Sequence, residues 1–149
     1  MQIRNKQGEL LYDGNLALNV DDLDLREAVL AGMVLQGANF DGANLERADL
    51  RGADLYWGCF FSANLSNADL EGAQLQGADL EKTNLTNANL RDADLGRDNL
   101  GGSTRLQGAT LEGAILVGAK MAGAEYDSQT VFPSDFDPAK CGMIFVERA

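Results

Sequence analysis

Chemistry in this chain would have to come from carboxylates, thiols and aromatic rings, because the sequence contains no histidine. That removes the commonest general base and the commonest zinc ligand. The two cysteines, Cys59 and Cys141, lie far apart and form neither a metal-binding spacing nor a disulfide framework, which fits a reducing cytoplasm. Carboxylates are plentiful: 23 acidic residues against 12 basic ones give a net charge of −11. They alternate without a base, a nucleophile or a ligand set around them, so neither an enzyme nor a cofactor is expected. An acidic surface repels nucleic acid and favours basic protein partners, so direct nucleic-acid binding is not expected either.

The aromatic residues concentrate in one place. Tyr56-Trp57-Gly58-Cys59-Phe60-Phe61 contains the only tryptophan of the chain. Clustered large aromatics on a surface often mark an interface, and whether these reach the surface depends on the elements that carry them.

Those elements repeat. Ala43-Asn44-Leu45-Glu46-Arg47, Ala48-Asp49-Leu50-Arg51-Gly52 and Ala53-Asp54-Leu55-Tyr56-Trp57 share one five-residue pattern, and the frame runs from Leu23 to Gly102. One extra residue, placed at Ser103, shifts the phase, and further units run from Thr104 to Ser128. Of the 21 unit centres (position i), 17 are Leu, and 15 of the residues two before them are Ala. A period of five matches neither a helix nor a strand. It suits a chain that points Ala and Leu inward, keeps the other positions outward and then rounds a corner. Glycine at i+2 tolerates the turn, and Asp or Asn at i−1 bonds local backbone.

The A-(D/N)-L-x-x pattern over residues 23–128 resembles the pentapeptide-repeat family. The resemblance implies an all-β fold, a right-handed quadrilateral β-helix with four units per coil and about five coils, roughly 25 Å tall at the usual strand spacing of about 4.8 Å. On that geometry Leu25, Leu45, Leu65, Leu85, Leu106 and Tyr126 stack on one side, and Leu30, Leu50, Leu70, Leu90 and Leu111 on the next. Leu35, Leu55, Leu75, Leu95 and Leu116 form the third, and Phe40, Phe60, Leu80, Leu100 and Met121 the fourth. Tyr56, Trp57 and Phe61 then face outward around one corner, with Val34, Ile115 and Val117 also outward near the third side. Together they form a candidate interaction patch, unless a terminal segment covers it. Asp49, Asp69, Glu71 and Asp79 form a candidate acidic face.

Three regions leave the pattern. Residues 1–22 read as an N-terminal cap: Ile3 to Asn5, a turn at Lys6-Gln7-Gly8, Glu9 to Tyr12, then an irregular first coil in which Leu16, Leu18 and Val20 alternate. Residues 129–149 read as a C-terminal cap or dimer contact through Phe132, Phe136, Ile144, Phe145 and Val146, because solenoid ends need covering. Between 98 and 105 the phase breaks, and Asp98 falls on an inward site. A buried carboxylate without partners is costly, so a bulge or short loop is expected there, with Asp98 hydrogen-bonded or turned outward.

Residues 1–9 lack an apolar export core, and no segment approaches the roughly 20 apolar residues of a membrane span. A cytoplasmic chain, monomeric or dimeric through its C-terminal tail, is therefore expected. The favoured function is a non-enzymatic scaffold that contacts a protein. The alternative, drawn from the resemblance, is a DNA mimic acting on DNA gyrase. Charge weighs against it: duplex DNA of about 25 Å presents roughly 15 phosphates at one per about 1.7 Å, whereas residues 23–128 hold 16 acidic and eight basic side chains.

Overall fold

The structure, a computed structural model, describes residues 1–14 and 22–147; Leu16, Leu18 and Val20 lie outside the described residues. The N-terminal segment forms strands β1 (Gln2–Arg4) and β2 (Leu10–Asp13), paired antiparallel with a bulge between Ile3 and Arg4. Ile3 is fully buried, and the carbonyl of Arg4 accepts the amide of Val29 at 2.8 Å. The hairpin thus covers backbone groups that the first coil would otherwise leave unpaired.

Beyond it the chain forms isolated parallel bridges instead of long strands. Residues 20 apart pair in four columns: Asp24–Asn44–Asn64–Asn84, Val29–Asp49–Asp69–Asn89, Val34–Asp54–Gln74–Asp94 and Asn39–Cys59–Asp79. Each column is one side of a four-sided coil. At each corner the amide at i+3 donates to the carbonyl at i, as Ala53 does to Leu50 at 3.1 Å. Such a turn puts position i+2 in the left-handed region: Gly52 has a φ of 63° and Arg47 one of 58°. That is why glycine recurs there. The side chains of Asp49, Asn64, Asp69, Asp79 and Asn84 each accept the backbone amide two residues on, so the acidic or amide residue at i−1 braces the corner that follows.

Inside the coil, Leu25, Phe40, Leu45, Leu50, Leu55, Phe60, Leu65, Leu70, Leu75, Leu80, Leu85, Leu90, Leu95, Leu111 and Met121 are all buried, while Leu116 is half-buried. Each fully buried leucine contributes about 1.5–3 kcal/mol relative to an exposed one. Phe40 and Phe60 stack with centroids 5.1 Å apart. The alanines at i−2 leave the space these large side chains occupy.

The structure corrects the reading of the phase break. Asp79 pairs with Arg105, Asn84 with Thr110, Asn89 with Ile115 and Asp94 with Lys120. Leu106 therefore stands above Leu80, Leu111 above Leu85, Leu116 above Leu90 and Met121 above Leu95. The break is a six-residue excursion, not a one-residue slip. Leu100, assigned to the core column, is 82% exposed at its tip. Met121 belongs to the third side and Leu106 and Tyr126 to the fourth.

At the C-terminal end the ladder continues past the repeat. Thr110 pairs with Val131, and β3 (Glu125–Tyr126) pairs parallel with β4 (Ile144–Phe145) after a 3₁₀ turn at Ala139–Cys141. Phe132 and Phe136 stack at 5.1 Å and pack half-buried on the core, and the Tyr126 ring meets Phe132 and Phe145 edge-on. Ile144 and Phe145 stay exposed, and the amide of Val146 donates to the Tyr126 carbonyl. Among the described residues, no helix is long and apolar enough to cross a membrane.

Candidate functional site: an aromatic corner and the loop it holds

The third side ends at Leu55, and the corner that follows presents Tyr56 and Trp57. Trp57 occupies the i+2 site with a φ of 58°, a conformation rare for a bulky side chain. Its ring lies along the corner over Gly77, one coil higher. A Cβ on Gly77 would meet the Trp57 ring at 2.7 Å and the Asp98 carboxylate at 2.9 Å. Glycine at 77 adopts its φ of 72° without strain, and this close approach is what excludes a larger residue there.

The excursion after Leu95 folds back onto this corner. The Trp57 indole N–H donates to Asp98 at 2.7 Å, and the Tyr56 hydroxyl donates to the Asn99 side chain at 3.0 Å while accepting the Asn99 amide. Asp98 also accepts the amides of Leu100 at 2.8 Å and Gly102 at 2.7 Å. Its own amide donates to the Gly102 carbonyl at 2.8 Å, and Arg97 donates to the Gly101 carbonyl at 2.9 Å. The Trp57 indole foremost, then the amide of Gly102, hold the Asp98 carboxyl below its ordinary value. Asp98 is thus hydrogen-bonded outside the column, and the two outward rings are the platform for an internal loop.

Thr104 closes the base of the loop, and the sequence reading missed it. It takes an inward alanine site, is fully buried, and places its hydroxyl oxygen 2.9 Å from the Leu75 carbonyl and 3.0 Å from that of Gly96. The same oxygen accepts the Gly77 amide at 3.0 Å. A threonine in an alanine column was the available signal.

The remaining patch residues do not join this corner. Phe61 lies on the next corner, with the Lys82 ammonium 5.4 Å from its ring centroid. Ile115 and Val117 belong to the second side, above Asn89, and Val34 to the third side at the opposite end of the stack. Cys59 is half-buried, and burial raises its thiol pKa. The acidic candidates separate as well. Asp49, Asp69 and Glu71 share the second side, whereas Asp79 lies on the fourth. Arg51 bridges Asp49 at 2.7 Å and Asp69 at 3.8 Å, and Arg105 pairs with Asp79 at 2.6 Å and Glu81 at 3.3 Å. Among the described residues, no three acidic or thiol groups gather as a metal site would require.

Two stretches of the sequence, residues 21–56 and 63–97, match the family profile of pentapeptide repeats in eight copies. The interval between them begins at Trp57, and the second stretch ends where the loop begins. Among solved structures, the chain is 39% identical to the pentapeptide repeat protein Rfr23 from the cyanobacterium Cyanothece 51142, over 66% of this chain and 63% of that one, with a TM-score of 0.61. It is 36% identical to alr5209, a pentapeptide repeat protein from Nostoc Pcc 7120, over 76% of this chain and 84% of that one, with a TM-score of 0.42. It is 33% identical to the pentapeptide repeat protein AT2G44920 from the Arabidopsis thaliana thylakoid lumen, over 70% of this chain and 66% of that one, with a TM-score of 0.48. No curated protein matches the sequence significantly.

Proposed function

Since this chain belongs to the pentapeptide-repeat family, whose members fold as right-handed quadrilateral β-helices, we propose that it is a non-catalytic scaffold whose Tyr56–Trp57 corner and docked loop contact a partner protein. The observation that supports this reading is the clamp itself. Coils below the excursion close in 20 residues without any loop, so the stack of about five coils does not need one. Yet this loop carries two glycines after Leu100, costly to order, and is nevertheless held by two rings at corner sites that, Phe61 and Val117 apart, carry polar or small residues in the other units. A pinned loop beside half-exposed aromatics loses little further entropy on binding. The proposed setting is a reducing cytoplasm, in which Cys59 and Cys141 remain thiols.

The acidic surface favours this reading over imitation of DNA on gyrase. Asp49, Asp69 and Asp79 brace their own corners, and arginines partly neutralise all three. The experiment is affinity capture with purified protein, comparing wild type with Trp57→Ala and with charge reversal at Asp49, Asp69, Glu71 and Asp79, at low and high salt. On the scaffold reading, Trp57→Ala loses the captured protein and salt barely matters. Capture lost on charge reversal, steeply weakened by salt and joined by inhibition of gyrase supercoiling would establish the mimic instead.

A further inference from the structure

The loop tip and the C-terminal cap carry complementary features. Leu100 projects with 82% of its surface exposed from a loop whose backbone is fixed by the Asp98 and Arg97 bonds. On the same molecule, Ala114, Leu116, Val117, Pro133 and Phe136 line an open apolar groove of about 350 Å³, with Asp135 on its rim. Val117 is 71% exposed at its mouth. Charge complements shape here. Arg97 stands at the base of the projecting leucine and Asp135 at the edge of the groove, and neither forms an ion pair among the described residues.

Their positions decide how the two could meet. The loop leaves the corner between the third and fourth sides, where Arg97 also lies against Gly123. Val117 follows Leu116 at the corner between the second and third sides. Knob and groove therefore flank one side of the coil and cannot reach each other within one molecule. Two points on one face can always be exchanged by a two-fold axis lying in that face. A second copy turned about that axis would receive Leu100 and offer its own in return, as an isologous interface requires.

We propose that this chain forms a reciprocal dimer through its third side, each Leu100 seated in the other copy's Val117–Phe136 groove and each Arg97 paired with the other copy's Asp135. This goes beyond the scaffold reading and does not depend on it. The contact lies on the flank of the coil, apart from the exposed end at Ile144 and Phe145.

Sedimentation equilibrium of the full chain over a wide concentration range tests the proposal. The wild type should reach a dimer and stop there. Leu100→Glu and Val117→Glu should each weaken association at least about tenfold, with unchanged melting temperature at concentrations where the wild type is monomeric, because both side chains are exposed there. An equimolar mixture of the two variants should recover part of the association, since one intact knob then meets one intact groove. Arg97→Asp and Asp135→Arg should each weaken it, and their combination should restore part of it, since the Arg97 bond to the Gly101 carbonyl stays lost. A monomer at all concentrations, open-ended polymers, or a dimer indifferent to Leu100→Glu would each overturn the proposal.

Discussion

Trp57 and Asp98, 41 residues apart in sequence, are joined by an indole-to-carboxylate hydrogen bond of 2.7 Å. This bond ties the break in the repeat to the aromatic break two coils below it, so two departures from the pattern serve one feature. Trp57→Phe keeps the ring and removes the donor. We expect trypsin to cut after Arg97 several-fold faster in that variant, and the amides of Leu100 and Gly102 to exchange faster, while the coil amides of Leu65 and Leu70 stay protected. Equal cleavage in both proteins would mean that the loop is held without the indole.

Acid should open the same clamp. The Asp98 carboxyl sits below its ordinary value of about 3.9. A depressed folded value means that the stabilisation is complete above the unfolded value and is lost as the pH falls through the folded one. Because Trp57 is the only tryptophan, its fluorescence reports on the clamp. The expected transition has a midpoint below about pH 3.9 and is absent in Asp98→Asn. A midpoint above that value would place another group in control.

Gly77 and Gly72 separate two reasons for glycine. Both have positive φ, 72° and 68°, but only Gly77 has Trp57 and Asp98 against its open side, whereas Gly72 faces nothing within 4 Å. Alanine at 72 should cost about 1–2 kcal/mol from the backbone alone. Alanine at 77 should cost more, and the excess should shrink when Trp57 is also replaced by alanine, leaving only the Asp98 carboxylate in the way. Equal costs at 77 and 72 in thermal unfolding would remove the packing role assigned to Gly77.

The repeat was legible because its cause is local. Ala, Leu and a corner residue every five positions state which side chains point inward, and glycine at i+2 reports the left-handed turn. A loop with a hydrogen-bonded Asp98 was legible at the phase break, but its register was misread because Asn99-Leu100-Gly101-Gly102 imitates a unit with its leucine in place. Asp98 and Thr104 on alanine sites and the shifted phase marked the break, but the true register emerges from pairings such as Asp79 with Arg105, which no local pattern encodes. The rings at 56 and 57 could be seen to face outward, but not what they would hold, since that contact joins residues two coils apart. At the C-terminal end, Phe132 and Phe145 top their columns without any repeat around them.

Inward and outward positions should respond differently to substitution. Leu70 is fully buried, so Leu70→Ala should destabilise by about 2–5 kcal/mol, and Leu70→Arg by more, because the charge would enter the column unpaired. Arg51 lies outside, bridging Asp49 at 2.7 Å and Asp69 at 3.8 Å. Arg51→Glu would leave a cluster of carboxylates on the second side, yet the Asp49 side chain would still accept the backbone amide of residue 51, which any residue supplies. The corner should therefore survive. We expect a modest fall in melting temperature at low salt that largely disappears at about 1 M salt, where the screening length is only about 3 Å. If Leu70→Ala and Arg51→Glu lower the melting temperature alike at high salt, the assignment of side chains to the inside and outside of the coil is wrong.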